Sequence, residues 1–205
     1  MGQQRQGSVY LVRGLLGPFS MGMDKIGEEL RQQGVHAVVF QHSQEGELAD
    51  ALGREYSATG SAEPLVLIGH SLGADDVVEI SRKLTAKNIR ITLMITVDPV
   101  MADPVPGNVA QTINFYRSNG VMDVLPIFRG IPLKAGQGAE VHLMNLNLNK
   151  HEELLEPGTN HFTIDKNSRV RHAIVQQVLE VCPVRPVYAG VQPARVDVSS
   201  ERAAK

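Results

Sequence analysis

Ser71 stands in the run Gly69-His70-Ser71-Leu72-Gly73, directly after the apolar stretch Pro64-Leu65-Val66-Leu67-Ile68 and before a segment with helical spacing. A serine on a sharp strand-to-helix turn lifts its hydroxyl clear of the sheet. Glycines flank it where side chains would collide with the neighbouring strand and helix. The N-terminus of the helix that follows favours a developing anion, and the backbone N–H of Leu72 becomes a donor to it. The chemistry this suits is nucleophilic: the serine attacks a carbonyl while a base takes its proton and an acid orients the base. The alternative is an ordinary Gly-Ser-Gly turn; the strand before it and the helix after it favour the nucleophile.

Imidazole titrates near neutrality and suits the base. Of the seven histidines, His36 and His142 fall on predicted strands, His172 on a solvated helix face, and His70 beside the serine, pointing away from its hydroxyl. His161 lies in the loop Pro157-Gly158-Thr159-Asn160-His161-Phe162, between the last strand and the last helix, and His151 precedes an acidic helical stretch. Two carboxylates follow successive strands: Asp98 directly, in Thr96-Val97-Asp98-Pro99, and Asp123 after a short loop. Strand ends at the C-terminal edge of a parallel sheet are where ligand sites gather. Pro99 is expected to hold Asp98 extended, a rigidity that suits an orienting acid. Asp75 and Asp76 are expected to complement the helix dipole, and Asp165 to cap the final helix.

The run GHSLGA resembles the elbow of the α/β-hydrolase superfamily, in its lipase, esterase and thioesterase-like branch. The resemblance extends over about residues 8–181 and is close only at short motifs. It implies an α/β-hydrolase fold, the chain order serine, acid, histidine, and an oxyanion loop after an early strand. By that order His42 comes too early, and His161 occupies the place of the family's histidine. Asp98 sits in a turn similar to the Leu-Asp-Pro turn that carries the acid in some lipases. Asp123 sits where other members carry theirs, and Asp98 is preferred. The oxyanion loop corresponds to Arg13-Gly14-Leu15-Leu16-Gly17, where many members have His-Gly and this chain has Arg-Gly. By position Leu15 supplies the second N–H, with Leu16 beside it; a plain glycine-rich turn is the other reading. The implied reaction is hydrolysis of a carboxylic ester or thioester through an acyl-enzyme. An amidase, and a binding protein that kept the fold without turnover, remain open.

The elements that must position these residues alternate along the chain. Strands are predicted over 8–13, 36–40, 64–68, 89–97, 112–116 and 140–146, and helices over 23–33, 45–56, 72–86 and 166–181. Helices between strands imply crossovers and a compact, three-layer, mostly parallel sheet of about six strands. The antiparallel hairpin of larger family members is not expected. Residues 98–110 and 119–138 break the rhythm, and long loops of this kind are often lids or binding loops. Phe19, with Met21 and Met23, and Met122, Leu125 and Phe128, with Val121 and Ile127, are either core or the wall of an acyl pocket. The hydrolase domain is expected over residues 1–184, followed by a tail over 185–205.

The 205 residues suit one domain. A formal charge of −2 does not suggest a nucleic-acid partner, and no run is long enough to span a bilayer. The partner expected is a small acyl substrate. Without a visible leader the expected compartment is the cytoplasm; a trimmed leader would imply the periplasm or secretion. The single Cys182 excludes an internal disulfide and reads as an inert, partly buried thiol. No metal or nucleotide motif occurs, so no metal or cofactor is expected.

Overall fold

The computed structural model describes residues 3–15, 21–101, 103–118 and 130–186. They form one six-stranded sheet, entirely parallel, flanked by helices on both faces. The strands are β1 (Ser8–Val12), β2 (His36–Phe40), β3 (Leu65–His70), β4 (Ile91–Val97), β5 (Val109–Tyr116) and β6 (His142–Asn147). Their spatial order is β2-β1-β3-β4-β5-β6, so β3, which ends at the elbow, lies between β1 and β4. The helices are α1 (Gly22–Gln32), α2 (Glu45–Thr59), α3 (Leu72–Thr85) and α4 (Ser168–Val181).

Alternation along the strands sorts the core into two layers. Val9 and Leu11 of β1, with Val66 and Ile68 of β3, pack against Met23, Ile26 and Leu30 of α1 and Ile174 and Val178 of α4. Tyr10, Val12, Leu65 and Leu67 point the other way, onto Leu48 and Leu52 of α2 and Val77, Ile80 and Leu84 of α3. β3 is buried along its whole length, as its continuous apolar run requires.

Several boundaries differ from the sequence expectation; α2, for one, runs to Thr59 and β3 to His70. β4 begins at Ile91 rather than residue 89, because the α3–β4 turn passes through Asn88 at φ 56°. β5 begins at Val109, three residues early, and β6 is shifted to His142–Asn147. α4 begins at Ser168, because Asn167 and not Asp165 is its cap. The Asn167 side chain accepts from the N–H groups of Arg169 (2.9 Å) and Val170 (3.1 Å). Beyond α4, Val184 pairs antiparallel with Arg5, and Arg185 meets Glu63 at 2.6 Å. Cys182 is buried, which pushes its thiol up to about 11. Among the described residues no helix is long and apolar enough to cross a membrane, and no cluster of three His, Cys, Asp or Glu can hold a metal ion.

Candidate active site

The elbow is built from close approaches that only glycine allows. A Cβ on Gly69 would lie 2.0 Å from the Gly73 carbonyl oxygen. One on Gly73 would lie 2.4 Å from the Val12 oxygen and 2.5 Å from that of Arg13. With those side chains absent, α3 starts directly against β3 and the end of β1. Ser71 takes φ 57° and ψ −125°, a conformation a side chain rarely adopts and one typical of strained functional turns. Serine at a helix N-cap ordinarily accepts from its own helix. Ser71 makes no such bond, and its Oγ lies 2.9 Å from Nε2 of His161. Leu72 is the first residue of α3 and so carries one of the N–H groups a helix leaves without an internal acceptor.

His161 is buried in the loop before α4, and its Nδ1 lies 3.0 Å from Asp98 Oδ2. Asp98 directly follows β4 and is fully buried. Its N–H donates to the Phe115 carbonyl (2.8 Å), and its Oδ1 accepts the backbone N–H of Arg117 (2.7 Å). Asp98 is not extended as Pro99 led one to expect: its φ is 51°. Its own N–H and both carboxylate oxygens are engaged by β5 and the His161 loop, and these anchors outweigh the local preference that proline imposes.

The other sequence candidates fall elsewhere. His151 contacts Glu153 (2.9 Å) at the surface, and His42 contacts Asp76 (2.6 Å). His36 and His142 open edge strands with exposed side chains, and His172 is exposed on α4. Leu15 sits in the loop after β1 with its side chain 65% exposed. Leu16, Phe19, Val121, Met122, Asp123, Leu125, Ile127 and Phe128 lie outside the described residues.

Several supporting groups carry no sequence signal. Asp75 was expected only to answer the dipole of α3. Instead its Oδ1 accepts the N–H groups of Val100 (3.2 Å) and Met101 (2.9 Å), which ties the elbow helix to the Asp98 loop. Burial pushes its carboxyl up to about 7, and that of Asp76 to about 6. Asp165, expected as a helix cap, is wholly buried; its Oδ2 accepts the Gly22 N–H at the start of α1 (2.9 Å). The Arg117 side chain donates to the Thr159 carbonyl in the His161 loop and to Asn149 Oδ1 (3.0 Å). Each of these contacts joins residues far apart in the chain, so no local pattern announces it.

No family model matches the chain, and no curated protein matches it in sequence. Solved structures do match. A cutinase-like protein from Cryptococcus sp. superposes with a TM-score of 0.53 at 11% identity, over 85% of this chain and 94% of its own. An α/β serine hydrolase without lid from Xanthomonas campestris gives 0.49 at 17% identity, over 91% and 86%. The RedJ thioesterase of the prodiginine biosynthetic pathway in Streptomyces coelicolor gives 0.46 at 12%, over 84% of each. At such identities the likeness is one of fold, and the fold is that of the α/β hydrolases.

Proposed function

We propose that this protein is a serine hydrolase that cleaves a carboxylic ester or thioester by acyl transfer to water. One observation carries the reading: Ser71 Oγ, His161 and Asp98 form an unbroken hydrogen-bonded line, with steps of 2.9 and 3.0 Å. Its members come from three separate loops at the C-terminal edge of a parallel sheet. Side chains 90 and 63 positions apart thus stand in the order nucleophile, base, orienting acid, which supports the reading.

Ser71 Oγ attacks the substrate carbonyl as its proton passes to His161 Nε2. The oxyanion that forms faces the N–H groups of Leu72 and Leu15, the first aided by the N-terminus of α3. His161 then gives its Nε2 proton to the departing alcohol or thiol, and the acyl group stays on Ser71. A water deprotonated by His161 attacks the acyl-enzyme and releases the acid, restoring Ser71. Asp98 accepts from Nδ1–H throughout, which fixes the tautomer and stabilises the imidazolium. Every step uses groups of this chain and water. The substrate read here is a small molecule with an uncharged acyl chain of short to medium length. Leu15 follows β1, Met21 precedes α1 and Met101 follows β4, each beyond the C-terminal end of a strand that neighbours β3, and all three are more than half exposed. By their apolar character in the sequence, Phe19, Met122, Leu125 and Phe128 are proposed as further acyl-binding residues.

A fluorophosphonate is expected to label the wild-type protein, and Ser71→Ala to abolish both labelling and esterase turnover. A panel of nitrophenyl esters of rising chain length, acyl thioesters and anilides then reads the substrate class. Undiminished labelling of the Ser71→Ala protein overturns the assignment. A profile flat in chain length overturns the apolar pocket.

A further inference from the structure

His70 is the residue of the elbow that the reaction leaves unused. It ends β3, immediately before Ser71, and is 2% exposed. Its Nε2 lies 2.9 Å from the backbone oxygen of His161. A carbonyl only accepts, so Nε2 carries the proton and His70 is the donor. The two rings stand 5.6 Å apart at 37°. On its other side, Nδ1 lies 3.8 Å from Oδ2 of Asp165, the carboxylate that receives the Gly22 N–H.

His161 is therefore attached to the elbow at two points by two consecutive residues. Ser71 meets its ring at Nε2, and His70 meets its backbone oxygen. Asp98 and Ser71 meet the two ring nitrogens, and the His70 contact fixes the backbone from which that ring extends. Burial holds His70 neutral, pushing its pKa down to about 4. A neutral donor suits this place, because positive charge develops on the neighbouring ring when His161 takes the serine proton, and a second cation there would oppose it.

We propose that His70 is a positioning residue for the acyl transfer described above, donating its Nε2–H to the His161 carbonyl so that the base keeps its reach to Ser71. The inference rests on the serine-hydrolase reading. It separates from that reading because it concerns how well the base is held and not whether Ser71 reacts.

The test compares His70→Leu, His70→Asn and His70→Gln in the full chain, reading kcat and KM on a nitrophenyl ester, the rate of fluorophosphonate labelling and Tm. Leu removes the donor. Asn keeps an amide too short to reach, and Gln carries an N–H near the position of Nε2. Leu and Asn are expected to lower kcat and the labelling rate about a hundredfold with KM within threefold, as misplacement of a reacting group by an ångström does. Gln is expected to recover most of the loss. Should the Leu protein fail to fold, Asn against Gln decides. Equal activity of Asn and Gln, or kcat within threefold of wild type in the Leu variant, overturns the role of His70 while leaving Ser71 in place. A wild-type protein that neither labels nor turns over esters fails the underlying reading, and this proposal with it.

Discussion

Gly130 offers a sharp test of how the acid is held. A Cβ built there would lie 1.8 Å from Asp98 Oδ1, 2.6 Å from its Cγ and 3.1 Å from the Arg117 nitrogen. Ordinary carbon–oxygen contacts are near 3.3 Å, so one partner must move by about 1.5 Å. Asp98 has nowhere to go: it is fully buried, its N–H is tied to Phe115, and its oxygens meet Arg117 and His161. Gly130→Ala should therefore push the carboxylate off Nδ1 of His161 or break its bond to Arg117. An ångström of misplacement costs about a hundredfold, and loss of the orienting acid sets a ceiling near 10⁴-fold. The expected fall in kcat lies between these, about 3–5 kcal/mol of transition-state stabilisation. Gly107→Ala is the matched control, since a Cβ there meets only Ala139 at an ordinary 3.6 Å. The assay is kcat and KM on one nitrophenyl ester for both variants beside Asp98→Asn, with Tm measured on each. If Gly130→Ala keeps kcat within threefold of wild type while Asp98→Asn is crippled, the packing argument is wrong.

Asp98→Asn should lower turnover about a thousandfold or more while leaving the fold intact, and wild-type kinetics in that variant would remove Asp98 from the proposed mechanism. His161→Ala should cost on the order of 10⁴-fold or more, whereas His151→Ala, altering a surface contact, should leave most activity; the reverse ranking would move the base. Asp75 gives a pH test of stability. Its carboxyl rises from an ordinary value near 4 to about 7 on burial, so the fold favours the protonated form. The resulting stability is fully present below about pH 4 and is lost as pH rises through 7. Asp75→Asn keeps an acceptor for Val100 and Met101 and drops the charge. It should raise Tm by several degrees at pH 8, on the order of 4 kcal/mol less the cost of burying the amide, and lose that advantage at pH 4. A Tm difference equal at both values refutes the assignment of that cost to ionisation.

The elbow was legible because everything it needs is local. A buried strand, two glycines, a serine and a helix start occupy about ten consecutive residues, and backbone sterics shape such a turn with little help from afar. Ser71, His161 and Asp98 could all be singled out in the sequence, the last two with help from the resemblance. Their separations of 2.9 and 3.0 Å could not. Local rules misled at Asp98, where proline argued for an extended backbone and three long-range hydrogen bonds hold φ at 51°. They misled again at Asp165, whose spacing before a helix looked like a cap but whose carboxylate serves Gly22, 143 residues away.

By itself the sequence determined the period of each element, and hence a parallel sheet layered between helices, because side-chain alternation and helical spacing follow from backbone geometry alone. It also determined the nucleophile candidate, because the elbow is a short-range structure. Only the tertiary structure decided what surrounds that serine. The order β2-β1-β3-β4-β5-β6 sets the ends of β4 and β5 beside the elbow, and so brings Asp98, Arg117 and Gly130 together. Which loops meet at one sheet edge depends on how the strands are ordered, and that order is a property of the packed whole and not of any segment within it.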